Sequence, residues 1–253
     1  MHSSPSKFPS LQSLEPVSLK DISAAKLMNR IDTKYLATAD MVESLISLAG
    51  EDYRVLEIEG RRLMPYYTCY FDTPDAEMYV EHERGKKARQ KVRIRRYEGN
   101  KDLSFLEIKD KNNKGRTAKK RLELKEGEDI FTHADFIAEN SHYMVPRLMR
   151  HIENHFYRIT LVRKDMSERI TIDTGIEFHN LVTDIFDALP QLAVIEWKRK
   201  SFSEYSPMRR ILKSLGIRES GFSKYCVGMA RTNPGLRKNL LKKKLRLVSR
   251  LTG

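Results

Sequence analysis

Alternation of apolar and charged residues dominates the middle of the chain. In Lys91-Val92-Arg93-Ile94-Arg95-Arg96-Tyr97, Lys91, Arg93 and Arg95 are separated by Val92 and Ile94, and Phe105-Leu106-Glu107-Ile108-Lys109 follows the same rhythm. Successive side chains of a strand point to opposite faces. Lys91, Arg93 and Arg95 therefore share one face of their strand, as Glu107 and Lys109 do of theirs. The pattern recurs in Lys119, Arg121 and Glu123, in Arg158 with Thr160, in Arg169, Thr171 and Asp173, and in Glu196, Lys198 and Lys200. One such strand is what a sheet with a solvated face contains. Several in succession, with cations in excess of carboxylates, predict a sheet closed around a charged interior.

The remaining pattern supplies the other elements. Ser18–Asn29 reads as a short amphipathic helix and Arg30–Ala37 as a first strand. Asp40 is placed to cap a helix through Leu48, closed by Gly50. Strands follow at Tyr53–Ile58 and Leu63–Phe71, with Gly60 at the turn between them, then a short helix from Asp72-Thr73-Pro74-Asp75 to Gly85. Strands at Ala88–Tyr97, Leu103–Lys109 and Thr117–Leu124 are joined by a hairpin turn at Glu98–Asp102 and a loop at Lys111–Gly115. Helical segments are expected at Thr132–Glu139 and Pro146–Ile152, and strands at His155–Arg163, Arg169–Ile176 and Leu192–Lys200, with a tight turn at Lys164–Ser167. A helix at Glu204–Leu215 and a last firm element at Ser223–Ala230 complete the chain. Eight to ten mostly antiparallel strands with peripheral helices predict an α+β domain built on an antiparallel β-barrel. It occupies residues 18–231, after a flexible segment 1–17 and before a basic tail 232–253.

Composition narrows the classes. At 253 residues and 40% hydrophobic the chain suits a globular protein, and no apolar run approaches the roughly 20 residues of a membrane helix. Met1–Pro16 lacks the apolar core of a signal peptide. Cys69 and Cys226 lie far apart in apolar, strand-like runs, which favours buried free thiols and a cytoplasmic setting. The net charge of +13 calls for a polyanionic partner. Part of it is the tail, where Arg237, Lys238, Lys242, Lys243, Lys244, Arg246 and Arg250 occur with no acid between them. Leu240–Leu251 has the makings of a basic amphipathic helix or of a plain solvated one, so membrane lipid, a protein and a polyanionic chain are the candidate partners there.

Several chemistries are excluded. There is no Gly-x-x-x-x-Gly-Lys-Ser/Thr loop, no Gly-x-Ser-x-Gly elbow and no zinc-ligand spacing. The seven histidines are scattered; His151 and His155 are four apart but have no third ligand beside them. A single Trp and the lack of an aromatic platform argue against specific nucleic-acid binding. Phosphate binding accounts for what remains, because Arg offers a planar fork and Lys a mobile charge to phosphate oxygens. A few carboxylates among many cations suit a hard divalent metal shared with substrate phosphates, with Glu196 and Glu107 as candidates. Plain ion pairs, Glu107–Lys109 and Glu196–Lys198, are the structural alternative.

The residues also resemble a known family. Arg30-Ile31-Asp32-Thr33-Lys34-Tyr35, Val92-Arg93-Ile94-Arg95-Arg96-Tyr97, Leu106-Glu107-Ile108-Lys109, Ala118-Lys119-Lys120-Arg121, Tyr157-Arg158, Glu168-Arg169-Ile170-Thr171-Ile172-Asp173, Val194-Ile195-Glu196-Trp197-Lys198 and Phe222-Ser223-Lys224-Tyr225 are each weak alone. In this order they are similar to the VTC-type polyphosphate polymerase domain of the triphosphate tunnel metalloenzyme superfamily, which also includes CYTH-type triphosphatases. The resemblance covers Lys20 to Arg231. It implies a β-barrel tunnel that binds ATP and a polyphosphate chain, with Mn²⁺ or Mg²⁺ as cofactor. By that analogy Arg93, Arg95, Lys109, Lys119, Arg158 and Arg169 grip the triphosphate and Glu196 holds the metal. Lys34 lies near the acceptor phosphate, while Ser223, Lys224, Lys198 and Arg121 serve substrate binding. The expected reaction transfers the γ-phosphate of ATP to the chain; the alternatives are hydrolysis of the same substrates and polyphosphate binding without turnover. Two departures stand out. Gly221 precedes Phe222 where the family has a lysine, and Arg163 competes with Arg158 for one arginine position, although their odd separation puts them on opposite faces.

Overall fold

Period-two alternation becomes a ladder in the computed structural model, which describes residues 8–24, 31–97, 103–113, 117–200 and 205–253. The strands are β1 (Pro16–Val17), β2 (Ile31–Thr38), β3 (Tyr53–Leu56), β4 (Met64–Asp72), β5 (Arg89–Tyr97), β6 (Ser104–Lys111), β7 (Thr117–Leu124), β8 (Met149–Arg163), β9 (Glu168–Asn180), β10 (Ile185–Leu189) and β11 (Leu192–Arg199). Their main order is β2-β11-β9-β8-β4-β5-β6-β7, with β10 against β9 and β3 against β8 and β1. The pairs along that order are antiparallel.

Register puts the alternating charges on one face of the sheet, in staggered rows. Lys34 faces Glu196, Glu196 faces Thr171, and Thr171 faces Thr160. Two residues along, Arg158 faces Asp173. Farther on, Asn154 and Arg95 flank Thr68, and Arg93 and Arg121 flank Glu107. This face is concave. Five strand steps separate Lys109 on β6 from Glu196 on β11, a span of about 24 Å in a flat sheet. Yet Lys34 of β2 and Lys91 of β5, as many steps apart, bond the adjacent residues Phe222 and Ser223 at 3.0 and 2.9 Å, so the sheet curls to bring its distant strands near.

The opposite face carries the apolar half of the alternation. Ile159, Leu161, Ile170, Ile172, Ile195 and Trp197 are buried in one cluster with Val42, Leu45 and Ile46 of α2 (Ala39–Ala49) and Met208, Ile211 and Leu212 of α5 (Pro207–Ser214). Each such side chain contributes roughly 1.5–3 kcal/mol by leaving water. A second cluster joins Val92, Ile94, Leu106 and Ile108 to Met78 and Tyr79 of α3 (Glu77–Glu83), and the same cluster takes in Tyr225 and Cys226 of α6 (Lys224–Thr232), which lies at one end of the concave face. Asp72 ties these parts together. Its carboxylate accepts from the backbone of Thr73, Met78 and Tyr79 at 2.7, 2.9 and 3.0 Å, and from the Tyr225 hydroxyl.

The expected closure of the barrel is not reached: among the described residues the end strands β2 and β7 do not pair. The free edge of β2 is occupied instead by the segment before α6. Ser220 N–H donates to the Lys34 carbonyl at 2.7 Å, and Tyr35 bridges to Glu219. Other expectations are corrected locally. β3 and β4 are not a hairpin; both lie along β8, interrupted by the excursion around Gly60. Thr38, not Asp40, caps α2, because its hydroxyl accepts from Met41 N at 3.4 Å. Residues 149–152, expected to be helical, belong to β8, and the sequence reading missed β10. Cys226 lies on a helix; both cysteines are buried and free. The turn at 98–102, part of the loop at 111–115, Arg30, the end of the first helix beyond α1 (Leu19–Ala24), and residues 201–204 lie outside the described residues.

The last part of the chain folds as α7 (Lys242–Thr252), whose Val248 is fully buried in the second cluster. Before it, α6 packs so closely on the sheet that a Cβ on Gly228 would meet Phe178 Cδ1 at 2.6 Å and Ile152 Cδ1 at 2.7 Å. Gly228→Ala is expected to lower stability by roughly 1–2 kcal/mol, because overpacking outweighs the gain in helix propensity. A reduced urea midpoint with unchanged slope is the expected result; an increased midpoint would contradict this packing.

Candidate functional site on the concave face

Three ion-paired clusters organise the concave face. In the first, Arg93 donates to Glu107 Oε2 through Nε at 2.8 Å and Nη2 at 2.5 Å, while Lys119 holds Oε1 at 2.9 Å. Burial works to raise the Glu107 pKa, but Arg93, Arg95 and Lys119 hold it well below the usual carboxylate range. In the second, Arg158 grips Asp173 through two bonds of 2.6 and 2.9 Å, and Lys224 contacts the same carboxylate. In the third, Glu196 contacts Lys198 and lies 4.0 Å from Lys34. Burial would raise the Glu196 pKa, but Lys198 and Lys34 lower it decisively.

These clusters differ in what they leave free. The Glu107 side chain is fully buried and both its oxygens are taken. Its expected use as a metal ligand therefore gives way to a structural role: it neutralises Arg93. Glu196 retains a quarter of its side-chain exposure. Among the described residues no group of three or more His, Cys, Asp or Glu side chains is arranged to hold a metal ion.

Positive charge remains in excess between the clusters. Arg93 first, then burial and Arg95, push the Lys109 pKa well below that of an ordinary lysine. Burial, aided by Lys34, Arg89 and Arg93, brings Lys91 down to about 8. Burial likewise brings Lys224 to about 8, even though Asp173 opposes the shift. His82 at the same end is pushed down to about 2 by burial and by Lys91, Arg89 and Lys111, which keeps it neutral. Beside these cations lie buried polar atoms with no hydrogen-bond partner: Arg95 Nε, Thr68 Oγ1, both amide atoms of Asn154, and Thr171 Oγ1. Buried polar groups are ordinarily satisfied. Orphaned donors and acceptors in register across β8, β4 and β5 mark a surface shaped to receive a ligand or water.

The N-terminus of α6 enters this space. Ser223 caps the helix by accepting from Cys226 N at 3.3 Å and also accepts from Lys91 Nζ at 2.9 Å. Lys34 Nζ donates to the Phe222 carbonyl at 3.0 Å, and Lys224 sits 4.1 Å over the Phe156 ring. Lys34, Arg93, Arg95, Lys109, Lys119, Arg158, Glu196, Lys198, Ser223 and Lys224 thus share one concavity. Two expected residues stand apart from its centre. Arg169 bonds the Ile22 carbonyl at 2.9 Å, and Arg121 is exposed, with its guanidinium 4.0 Å over the Phe105 ring. Arg163 pairs with Asp165 and Glu168 near the β8–β9 turn, away from Asp173. Sequence reasoning left Lys91, Asp173, Thr68 and Asn154 out of the site. The alternation contained the signal for Lys91 and Asp173; nothing local marked Thr68 or Asn154.

The profile of the VTC domain matches residues 29–233. The chain belongs to the VTC domain family. The fold of this VTC domain is similar to that of a candidate adenylate cyclase from Bacillus halodurans, with a TM-score of 0.51 and 17% identity over 77% of this chain and 94% of the other. A candidate adenylyl cyclase from Hippeastrum with a dominant triphosphatase activity aligns with a TM-score of 0.48 and 15% identity, over 81% and 98% of the two chains. A search of curated proteins returns no sequence match. The family match agrees with the motif resemblance, and the likeness to the Bacillus structure is one of fold.

Two measurements follow from these electrostatics. Glu107→Ala leaves Arg93 buried without its counter-ion, so a loss of roughly 3–5 kcal/mol in unfolding free energy is expected; a loss below about 1 kcal/mol would remove the structural role of Glu107. The second concerns pH. Lys91 and Lys224 titrate near 8 when folded, against an ordinary 10.5. Between those values the unfolded chain binds more protons, so these lysines make the free protein more stable as pH rises. Affinity for a phosphate chain moves the other way, because binding needs them charged. Calorimetry from pH 7 to 9.5 should show a rising contribution to stability and a weakening Kd; flat curves for both would contradict the assignment.

Proposed function

We propose that the VTC domain is a metal-dependent polyphosphate polymerase that transfers the γ-phosphate of ATP to the end of a polyphosphate chain. The observation that carries this reading is the excess of cations on the concave face, with Arg95 Nε, Thr68 Oγ1, the Asn154 amide and Thr171 Oγ1 lacking hydrogen-bond partners within the protein beside them. Enclosed like charges repel strongly at low dielectric. A polyanion with many phosphate oxygens relieves that repulsion and satisfies the orphaned donors together.

In the proposed reaction a terminal oxygen of the chain attacks the γ-phosphorus, the bond from the β–γ bridging oxygen to that phosphorus breaks, and ADP leaves with the bridging oxygen. Such a transfer needs positioning and charge neutralisation more than covalent chemistry. Arg93 and Arg158, each fixed by a carboxylate, present oriented guanidinium groups. Arg95, Lys109 and Lys91 supply mobile or unneutralised charge along the phosphates. Lys34, anchored to the Phe222 carbonyl, sits beside Glu196 where the acceptor end would lie. Glu196 is the carboxylate whose exposure suits a hard divalent ion such as Mn²⁺ or Mg²⁺, with the remaining ligands from substrate phosphates and water. When bound, that ion supplies charge stabilisation on the transferring phosphoryl group. A cytoplasmic setting, consistent with the two buried thiols, completes the reading.

Incubation with ATP and Mn²⁺ should yield acid-labile phosphate polymer and ADP in step. Free phosphate without chain growth would reassign the site to hydrolysis, and intact ATP would leave a binding module. Glu196→Ala is expected to slow polymer formation on the order of 100-fold while tripolyphosphate still binds. Unchanged polymer formation in that variant would refute the metal role of Glu196.

A further inference from the structure

The C-terminal helix lies beyond residue 233, where the family match ends, and the concave site makes no use of its charges. Its apolar side faces the protein: Val248 is fully buried, and Leu241, Leu245, Leu247 and Leu251 pack partly against the same cluster. With the turn that precedes it, the helix lines an open groove of about 1030 Å³, where Leu236 and Leu245 supply apolar surface beneath the charged residues. Arg237, Lys238, Lys242, Lys243, Arg246 and Arg250 line this groove, and no acidic residue does.

Two features set this groove apart from an ordinary solvated helix face. Lys242, Lys243 and Lys244 occupy the first turn of α7, which has no acidic residue and no side-chain cap. Cations at that end oppose the helix dipole, so the sequence has concentrated positive charge where the fold tolerates it least. An anion in the groove reverses that penalty. Lys243, Arg246 and Arg250 are also spaced three and four residues apart, which aligns them in one exposed stripe along the helix.

The segment that carries the groove is bonded to elements that border the concave face. Lys244 bonds the Ser220 hydroxyl, and Ser220 N–H bonds the Lys34 carbonyl at 2.7 Å. On the other side, Glu83 of α3 accepts from Leu240 N at 2.8 Å, next to His82, whose neighbours include Lys91 and Arg89. We propose that α7 and the preceding turn form a second polyanion site, a track that holds the part of a linear phosphate chain lying outside the concave face. This rests on the polyphosphate reading above. A concave groove with cations on both walls suits a flexible chain of phosphates. A bilayer surface is a poorer match, since the apolar side of α7 is turned into the protein.

The test compares short and long phosphate chains on the triple variant Lys243→Gln/Arg246→Gln/Arg250→Gln, with circular dichroism and the thermal midpoint to verify folding. Tripolyphosphate spans the concave face alone, whereas a chain of about 60 phosphates reaches the groove as well. The variant is expected to bind tripolyphosphate within twofold of the unaltered protein and to bind the long chain about tenfold or more weakly. The salt dependence of long-chain binding should become shallower, as fewer counterions are released. Equal weakening for both lengths, or none for the long chain, would overturn the track. Failure of the unaltered protein to bind either length would overturn the polyphosphate reading and the track together. Loss of binding to phosphatidylserine vesicles with long-chain affinity intact would overturn the track in favour of a lipid surface.

Discussion

Repulsion among enclosed cations is the constraint to which the rest of this fold answers. Arg93, Arg95, Lys109 and Arg158 influence one another's protonation although they come from β5, β6 and β8. Left alone, such a group would spread the sheet. Two carboxylates, Glu107 and Asp173, each absorb two cations, and the apolar outer face holds the strands in their curl. The outer core has its own anchor: buried Glu168 accepts from Tyr53, Trp197 and Ser206, fixing the strands beneath α5.

α6 converts that curl into a site. Its first residues supply Ser223 and Lys224, and its body fills one end of the concavity against Phe178 and Ile152. The close approach requires glycine at position 228, and the Asp72–Tyr225 bond couples the helix to β4 and α3. The geometry of the concave face and the packing of the helix are thus one problem: a shift of α6 moves the groups that meet Lys91, Lys34 and Asp173.

Strand alternation made the inner face legible because its period leaves no choice of side once a strand is recognised. Spacing sorts Arg93, Glu107, Arg158 and Glu196 to the charged side of their strands, and register brings those sides onto one face of the sheet. What spacing does not encode is partner choice. Glu107 and Glu196 look alike in the sequence, yet Glu107 lies between Arg93 and Lys119 and is fully buried, whereas Glu196 stays partly exposed. Nor did local pattern reveal that β3 and β4 share one side of β8, that the 219–220 segment takes the edge of β2, or that α7 docks through Val248. Each depends on contacts remote in the chain.

The seam between β2 and β7 bears on how copies of the molecule meet. An unpaired strand edge is a template on which another chain can add a strand. β7 presents that edge with Lys119-Lys120-Arg121 in an exposed run. Two such edges brought together would oppose like charges along their length. Lys119 therefore serves twice: its ammonium group reaches inward to Glu107, and its place in the run discourages fibre-like stacking along the β7 edge.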